Sequence, residues 1–94
     1  MINLIRVGQA GTLESSDIMI IAMPGEQGSG IQIQLSSPVI KQFGRQIKAT
    51  IELVSQELGV VDVVIQANDR GALDCTIKAR VKAALYRGIK EENL

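Results

Sequence analysis

The strongest constraint on the fold is an apolar stripe that repeats with the period of a helix between residues 40 and 58. Its members are Ile40, Phe43, Ile47, Ile51, Val54 and Leu58. A helix with one apolar face has to bury that face against another element. We expect Ser37 to cap this helix, Pro38 to take its first position and Gly59 to end it. Gly44 lies within the helix and predicts close packing on a sheet.

Three strands are predicted ahead of this helix, at residues 2–13, 17–23 and 31–35. The last alternates apolar and polar residues, so one face is buried and the other meets water. The middle one (DIMIIAM) is apolar on both faces, which predicts that either a partner subunit or a long loop covers its second face. Residues 25–30 (GEQGSG) are expected to form an ordinary hairpin loop, because they precede a strand and lack the lysine of a phosphate-binding loop.

The chain after the first helix predicts one more strand and one more helix. Residues 60–68 (VVDVVIQAN) are β-branched and mostly apolar, which is typical of a strand in a sheet interior. Residues 69–71 have turn chemistry. A second helix is expected over residues 72–87, with Asp74 early and Arg87 late, as the helix dipole favours. Its core side is expected to hold Leu73, Ile77, Val81 and Leu85.

The predicted element order is β-β-β-α-β-α, which indicates the α+β class. The simplest arrangement is a two-layer sandwich, in which one mostly antiparallel sheet of about four strands carries both helices on one face. The order of the strands within the sheet stays open. With 94 residues, the chain is expected to form a single domain over residues 1–94.

Missing residue types exclude most catalytic sites. The chain has no histidine, so it lacks a Ser–His or Cys–His pair and an imidazole base. Its single cysteine, Cys75, cannot form an internal disulfide or a thiolate zinc site, and we expect it to be a buried or idle thiol. We therefore expect neither an enzyme nor a metal site.

The overall charge and hydropathy exclude further classes of partner. Ten basic residues balance ten acidic ones, and there is one tyrosine and one phenylalanine, so nucleic-acid binding is not expected. No apolar run approaches the roughly 20 residues that span a bilayer, and residues 1–7 do not resemble a signal peptide. We therefore expect no membrane association and a cytoplasmic location.

Charge is nevertheless distributed unevenly along the chain. Residues 7–40 hold three acidic residues and no basic one. Residues 70–90 hold a single acidic residue and six basic ones, namely Arg70, Lys78, Arg80, Lys82, Arg87 and Lys90. Two interpretations stay open, a solvated helix face or a docking surface for phosphates or an acidic partner.

Residues 14–17 (ESSD) lie between the first two predicted strands. Serines flanked by carboxylates at such a position are usually turn chemistry. An exposed hydroxyl at a hairpin tip is also what an external enzyme needs in order to attach a group. Because the chain has no internal base, Ser15 or Ser16 would be a substrate for modification and not an activated nucleophile.

Three segments together resemble one known family. They are residues 10–17 (AGTLESSD) with the following IMII, residues 41–44 (KQFG), and residues 69–75 (DRGALDC) with Ala79 and Arg80. In this order and over nearly the whole chain, they resemble the acyl carrier, or gamma, subunit of citrate lyase.

The resemblance implies a non-catalytic carrier that is modified on Ser15. In that family, a serine is joined by a phosphodiester to 2'-(5''-triphosphoribosyl)-3'-dephospho-CoA, whose thiol carries acetyl and citryl thioesters. The implied partners are a prosthetic-group transferase, the alpha (transferase) subunit and the beta (lyase) subunit. Citrate is cleaved in the process to acetate and oxaloacetate. Ser16 stands where the family frequently has glycine, so it is the second candidate for the attachment site.

Two alternative functions stay open. The acyl carrier subunit of malonate decarboxylase uses a related prosthetic group and a similar serine segment. A small non-catalytic α+β regulatory or assembly module would carry no covalent group at all. The chain does not resemble the fatty-acid acyl carrier protein, because it has no Asp-Ser-Leu motif. We further hypothesise that Arg70 and the amino end of the second helix hold a phosphate of the prosthetic group.

Overall fold

The computed structural model describes residues 2–89 and confirms the α+β class and the predicted element order. The elements are β1 (Gly8–Ala10), β2 (Ile18–Pro24), β3 (Ile31–Ser36), α1 (Ile40–Glu57), β4 (Val63–Asp69) and α2 (Asp74–Ile89). The sheet order is β1-β2-β4-β3. The β1–β2 and β2–β4 pairs are antiparallel and the β3–β4 pair is parallel, so the sheet is mixed. The parallel pair follows from α1, which connects β3 to β4 as a crossover.

Both helices pack on one face of the sheet. The buried face of β2 consists of Ile18, Ile20 and Ala22, and that of β4 consists of Val63, Ile65 and Ala67. The helices contribute Ile47, Ile51, Val54, Ile77, Val81 and Leu85 to the same core. As predicted from its composition, β4 lies in the interior of the sheet, between β2 and β3.

The glycine-rich loop at residues 25–30 is not a hairpin loop, so that prediction is wrong. Its two flanking strands, β2 and β3, lie on opposite sides of β4. The loop crosses the start of β4, where the Gly25 amide donates to the Asp62 carbonyl over 3.1 Å and the Gly30 amide donates to Asp62 Oδ1 over 2.9 Å. A later strand thus inserts between two that are consecutive in sequence.

The first strand is much shorter than predicted. Within the expected range of 2–13, only Gly8–Ala10 pairs with β2, and Ile2 makes one isolated parallel bridge to Val60. The strand begins at Gly8, and α2 packs directly against this residue. A Cβ atom at residue 8 would lie 1.9 Å from the Ala84 carbonyl oxygen, which only glycine avoids.

The start of α1 differs from the prediction in three ways. Val39 occupies the N-cap position without a side-chain hydrogen bond, so Ser37 is not the cap. Ile40 and Phe43 are 44% and 49% exposed, although the stripe placed them in the core. The atom nearest to a Cβ at residue 44 would be Ile40 Cγ1 of the same helix, at 2.9 Å. Gly44 therefore makes no close approach to the sheet.

The predicted cap residue has a different role. Ser37 Oγ donates to Asp69 Oδ2 over 2.8 Å and accepts from the Val39 amide over 3.2 Å. It thereby joins the start of α1 to the end of β4. At the other end of α1, Gly59 adopts φ +78° directly after the C-cap residue Leu58, as expected for a glycine that ends a helix.

The second helix confirms most of its predicted core side but not Leu73. Ile77, Val81 and Leu85 are buried, as the pattern predicted, whereas Leu73 precedes the helix and is 69% exposed. Cys75 is exposed, so of the two expected alternatives the buried thiol is wrong, and an idle thiol stays a prediction. Lys90, the last member of the basic stretch, lies outside the described residues. Within residues 2–89, neither helix is both long and apolar enough to cross a membrane.

Candidate functional site

The two candidate serines lie on the connection between β1 and β2. This connection, residues 11–17, is called the serine tip below. Both Ser15 and Ser16 are exposed, and a hydrogen bond of 3.2 Å from the Asp17 amide to the Glu14 carbonyl closes a turn around them. The hairpin tip expected from the sequence is therefore present.

Ser16 has the backbone conformation of a glycine position. Its φ of +66° is the only positive value at a non-glycine residue in the described chain. This left-handed conformation is strained for residues with a Cβ and free of strain for glycine. The family that the sequence resembles frequently has glycine at this position, which is an independent indication of the same kind. The geometry therefore separates the serines, with Ser16 shaping the turn and Ser15 at its exposed apex.

A bidentate ion pair anchors the serine tip to α2. Arg80 Nε and Nη2 donate to Asp17 Oδ1 and Oδ2 over 3.0 and 3.1 Å. Thr12 Oγ1 and the Ile18 amide each donate to the same carboxylate over 2.7 Å. The hydrogen bonds from Arg80, and then those from Thr12 and Ile18, lower the pKa of Asp17 to about 2. Asp17 therefore stays ionised and tied to Arg80 throughout the neutral range.

Sequence reasoning missed this ion pair. Asp17 and Arg80 are separated by 63 positions, and only the fold brings them together. Arg80 was noted in two ways, as one of six basic residues and as part of a family-like segment. Neither signal indicates its partner. In the structure, the Arg80 side chain is paired with Asp17 of the serine tip, so its charge is already engaged by a protein carboxylate.

The serine tip also pairs with the loop between β4 and α2, residues 70–73, called the β4–α2 loop below. The Ser16 amide donates to the Arg70 carbonyl over 2.8 Å, and the Arg70 amide donates to the Asp17 carbonyl over 2.9 Å. Arg70 is exposed. The structure thus brings the one basic residue singled out from the sequence next to both candidate serines.

An apolar groove continues from the β4–α2 loop. It has a volume of about 520 Å³ and lies between α1 and this loop. Its lining includes Val39, Phe43, Gln46, Ile47, Asp69, Gly71, Ala72, Leu73, Asp74 and Ile77. The name loop groove is used for it below. The sequence did not predict it, because Phe43 and Leu73 were assigned to the core.

The outer face of the sheet is open and uncharged. Its side chains are Gln9, Met19, Ile21, Met23, Gln32, Gln34, Ser36, Val64, Gln66 and Asn68, and none is buried. The two apolar faces predicted for β2 are confirmed, since Ile18 and Ile20 are buried while Met19 and Ile21 remain partly exposed. That a partner subunit covers this face stays a prediction.

Within residues 2–89, no group of three or more cysteine and carboxylate side chains is placed to hold a metal ion. Of the two carboxylates in the serine tip, that of Asp17 accepts four hydrogen bonds from protein donors, whereas Glu14 is exposed. The serine tip thus offers two exposed hydroxyls next to a carboxylate that is already bonded.

Comparison with known proteins agrees with a carrier. A family model described as malonate decarboxylase delta subunit matches residues 6–88. The citrate lyase acyl carrier protein of Lacticaseibacillus casei is 59% identical over 78 residues, which cover 83% of this chain and 75% of the relative. The citrate lyase acyl carrier protein of Halothermothrix orenii is 52% identical over 85 residues, which cover 90% of this chain and 88% of the relative.

A solved structure shares the fold. A chain of the Pseudomonas malonate decarboxylase hetero-tetramer in complex with malonate superposes with a TM-score of 0.70 at 19% identity. The match covers 89% of this chain and 84% of that chain. At this identity the likeness establishes the fold alone.

Several relatives at about half identity carry the same name, and the range matched by the family model includes the serine tip, the ion pair and the β4–α2 loop. An acyl carrier holds an acyl group for other subunits and catalyses no reaction itself, which agrees with a chain that has exposed serine hydroxyls and no histidine to activate them. This chain belongs to the citrate lyase acyl carrier protein family.

Proposed function

We propose that this chain carries acetyl and citryl thioesters in citrate lyase on a phosphoribosyl-dephospho-CoA group, which is transferred to Ser15 from 2'-(5''-triphosphoribosyl)-3'-dephospho-CoA. One observation carries the assignment of the site. Ser15 lies at the exposed apex of a turn whose following residues, Ser16 and Asp17, are held by α2 and by the β4–α2 loop. An external enzyme therefore meets a hydroxyl in a fixed position.

The residues around Ser15 fit such a group. Its side chain is exposed, and within residues 2–89 its hydroxyl makes no hydrogen bond that attachment would have to break. Arg70 is exposed and its backbone is hydrogen-bonded to Ser16 and Asp17, and a guanidinium suits a phosphodiester or a further phosphate. When bound, the group supplies the thiol on which acyl groups travel. The tether would raise their effective concentration at the partner subunits to the millimolar range.

Attachment requires a base from the transferase. The Ser15 oxygen forms a bond to the innermost phosphorus of the triphosphate, the bond to the outer two phosphates breaks, and pyrophosphate leaves. The hydroxyl proton has to be accepted during this step. Asp17 cannot accept it at neutral pH, because its pKa is held at about 2 and both its oxygens are hydrogen-bonded. This chain is the acceptor, and the transferase is the catalyst.

Arg70 is the residue that we propose to contact a phosphate of the group. The amino end of α2 suits an anion less well than the sequence suggested, because Asp74 places a carboxyl group in its first turn. Arg70→Ala should lower the rate of modification, whereas Lys82→Ala, an exposed lysine on α2, should leave it unchanged. Equal rates in both variants would contradict this role, and salt-sensitive binding to the subunits would indicate docking instead.

The attachment site is tested by mass spectrometry of the protein co-produced with its modifying enzymes. Trypsin cleavage after Arg6 and Lys41 isolates a peptide with both candidate serines, and fragmentation inside it separates them. We expect the adduct mass on Ser15, its loss in Ser15→Ala and its retention in Ser16→Ala. An adduct on Ser16 would contradict the site, and the lack of any adduct would favour a regulatory or assembly module.

A malonate decarboxylase carrier is the second candidate, because the family model bears that subunit's name and a malonate decarboxylase chain has the same fold. The named relatives at about half identity favour citrate lyase. The acetyl-loaded protein can be mixed with the catalytic subunits of either enzyme. Citrate-dependent release of oxaloacetate supports citrate lyase, and malonate-dependent release of carbon dioxide would reassign the carrier.

A further inference from the structure

We propose that the loop groove holds the uncharged, thiol-bearing end of the arm attached to Ser15 while it carries an acetyl group, and that it excludes this end when it carries a citryl group. This inference rests on the proposed function and adds a resting place for the arm on the carrier's own surface. It is argued from the position of the groove, the chemistry of its lining and its charge.

The groove begins where the attachment site ends. The serine tip and the β4–α2 loop are joined through Arg70, whose carbonyl accepts from the Ser16 amide over 2.8 Å. The residues that follow Arg70 directly, Gly71 to Leu73, line the groove. The groove is therefore lined by the same loop to which the serine tip is hydrogen-bonded.

The lining suits the uncharged, thiol-bearing end of the arm. Phe43 and Leu73 both line the groove, with 49% and 69% of their surfaces exposed. These exposures are high for large apolar side chains that lie together, and such a patch marks a binding surface. The volume of about 520 Å³ falls within the range of small-molecule sites. An acyl arm of mixed methylene and amide character would cover both side chains.

The charge of the groove distinguishes the two acyl groups. Asp69 and Asp74 contribute carboxyl groups to the lining, whereas none of the ten lining residues is basic. Asp69 is 1% exposed, and its two oxygens accept from Ser37 Oγ and the Ala72 amide. A citryl group adds free carboxylates, which these groups repel. An acetyl group adds no charge, so it can enter.

This selectivity would make the position of the arm depend on which acyl group it carries. The acetyl thioester would be sheltered from water and stray nucleophiles between encounters. Exchange of acetate for citrate on the arm would make the groove unfavourable and free the arm, so that the citryl group is presented to the lyase. The same surface thus protects one acyl state and releases the other.

The test measures how fast hydroxylamine cleaves the thioester on the holo-protein, in a Cys75→Ser background that removes the other thiol. Each native rate is compared with the rate for the same arm on urea-unfolded protein, which corrects for intrinsic reactivity. The matched variants are Leu73→Asn in the groove and Leu53→Asn on α1, which replaces another exposed leucine, at 48% exposure, outside the groove. Amide chemical shifts of the unmodified and acetyl forms report occupancy independently of reactivity.

We expect cleavage of the acetyl arm to be slower on the native protein by about tenfold, because covering most of an exposed leucine is worth roughly one tenfold step in an equilibrium. Leu73→Asn should remove most of this protection and Leu53→Asn none. The citryl arm should be unprotected, and amide shifts should change at Phe43, Ala72 and Leu73. An adduct on Ser15 with no protection and no such shifts would overturn the inference alone. The absence of any adduct would overturn it together with the proposed function.

Discussion

Replacement of Ser16 by glycine tests the distinction between the two serines. Ser16 has a φ of +66°, and such a conformation costs a residue with a Cβ about 1 kcal/mol or more. Glycine removes this strain, but it also gains about 0.5 kcal/mol of conformational freedom in the unfolded chain. The Ser16 amide keeps its bond to the Arg70 carbonyl in the variant. We therefore expect Ser16→Gly to stabilise the protein by about 0.5 kcal/mol.

The matched control is Ser15→Gly, because Ser15 has no positive φ. Only the entropic term acts there, so this variant should lose about 0.5 kcal/mol. The two variants should differ by about 1 kcal/mol, or roughly 4–8 °C in Tm for a domain of this size. Urea and thermal unfolding measure both, and intact mass after co-production reads the adduct. Ser16→Gly should be modified and Ser15→Gly unmodified. A destabilised or unmodified Ser16→Gly would refute the argument.

Three further predictions concern the contacts that hold the site. Gly8→Ala should destabilise the folded protein by about 3 kcal/mol or prevent folding, because the added Cβ would lie 1.9 Å from a backbone oxygen of α2. Urea unfolding measures the loss, and Gln9→Ala, at the next and exposed residue, is the control. The folded-state pKa of Asp17 is lowered from 3.8 to about 2, so the contribution of ionised Asp17 to folding stability is present above pH 4 and is lost as pH falls towards 2. The difference in unfolding free energy between the protein and Asp17→Asn should therefore shrink across that window. A constant difference would contradict the role of Arg80. Asp69→Ala should cost about 2 kcal/mol by leaving the Ser37 hydroxyl and the Ala72 amide without their acceptor; a loss no greater than that of Ser37→Ala would show that the Ala72 bond adds nothing.

The sequence predicted the elements better than their arrangement. Hydrophobic periodicity and helix-ending or turn residues correctly predicted three kinds of feature. These are the β2 and β4 strands, the helix ends near Gly59 and Arg87, and the buried positions Ile47 to Val54. The errors lie where a segment meets one that is distant in the chain. Ile40 and Phe43 fit the helical stripe, yet both are exposed, and Phe43 lines the loop groove instead of the core. Local pattern shows which face of a helix is apolar, but not how far the opposing layer reaches.

The site was predictable in part for the same reason. An exposed serine pair at a hairpin tip follows from turn chemistry between two strands, and the structure has that tip. Its anchors did not follow, because the Asp17–Arg80 pair and the Ser16–Arg70 hydrogen bond join residues more than fifty positions apart. Ser37 illustrates the difference at one residue. The sequence predicts a helix cap, while the fold offers its hydroxyl a carboxylate on β4.

By itself, the sequence determined the α+β class, the order of elements, the absence of histidine and the family. These are properties of local periodicity and residue chemistry, which act within a few positions of the chain. Only the tertiary structure decided that β4 enters between β2 and β3, which serine takes the strained turn position, and where an apolar groove opens beside it. Strand pairing and side-chain burial depend on contacts between distant segments, whose stability comes from shared packing and not from the propensity of either segment alone.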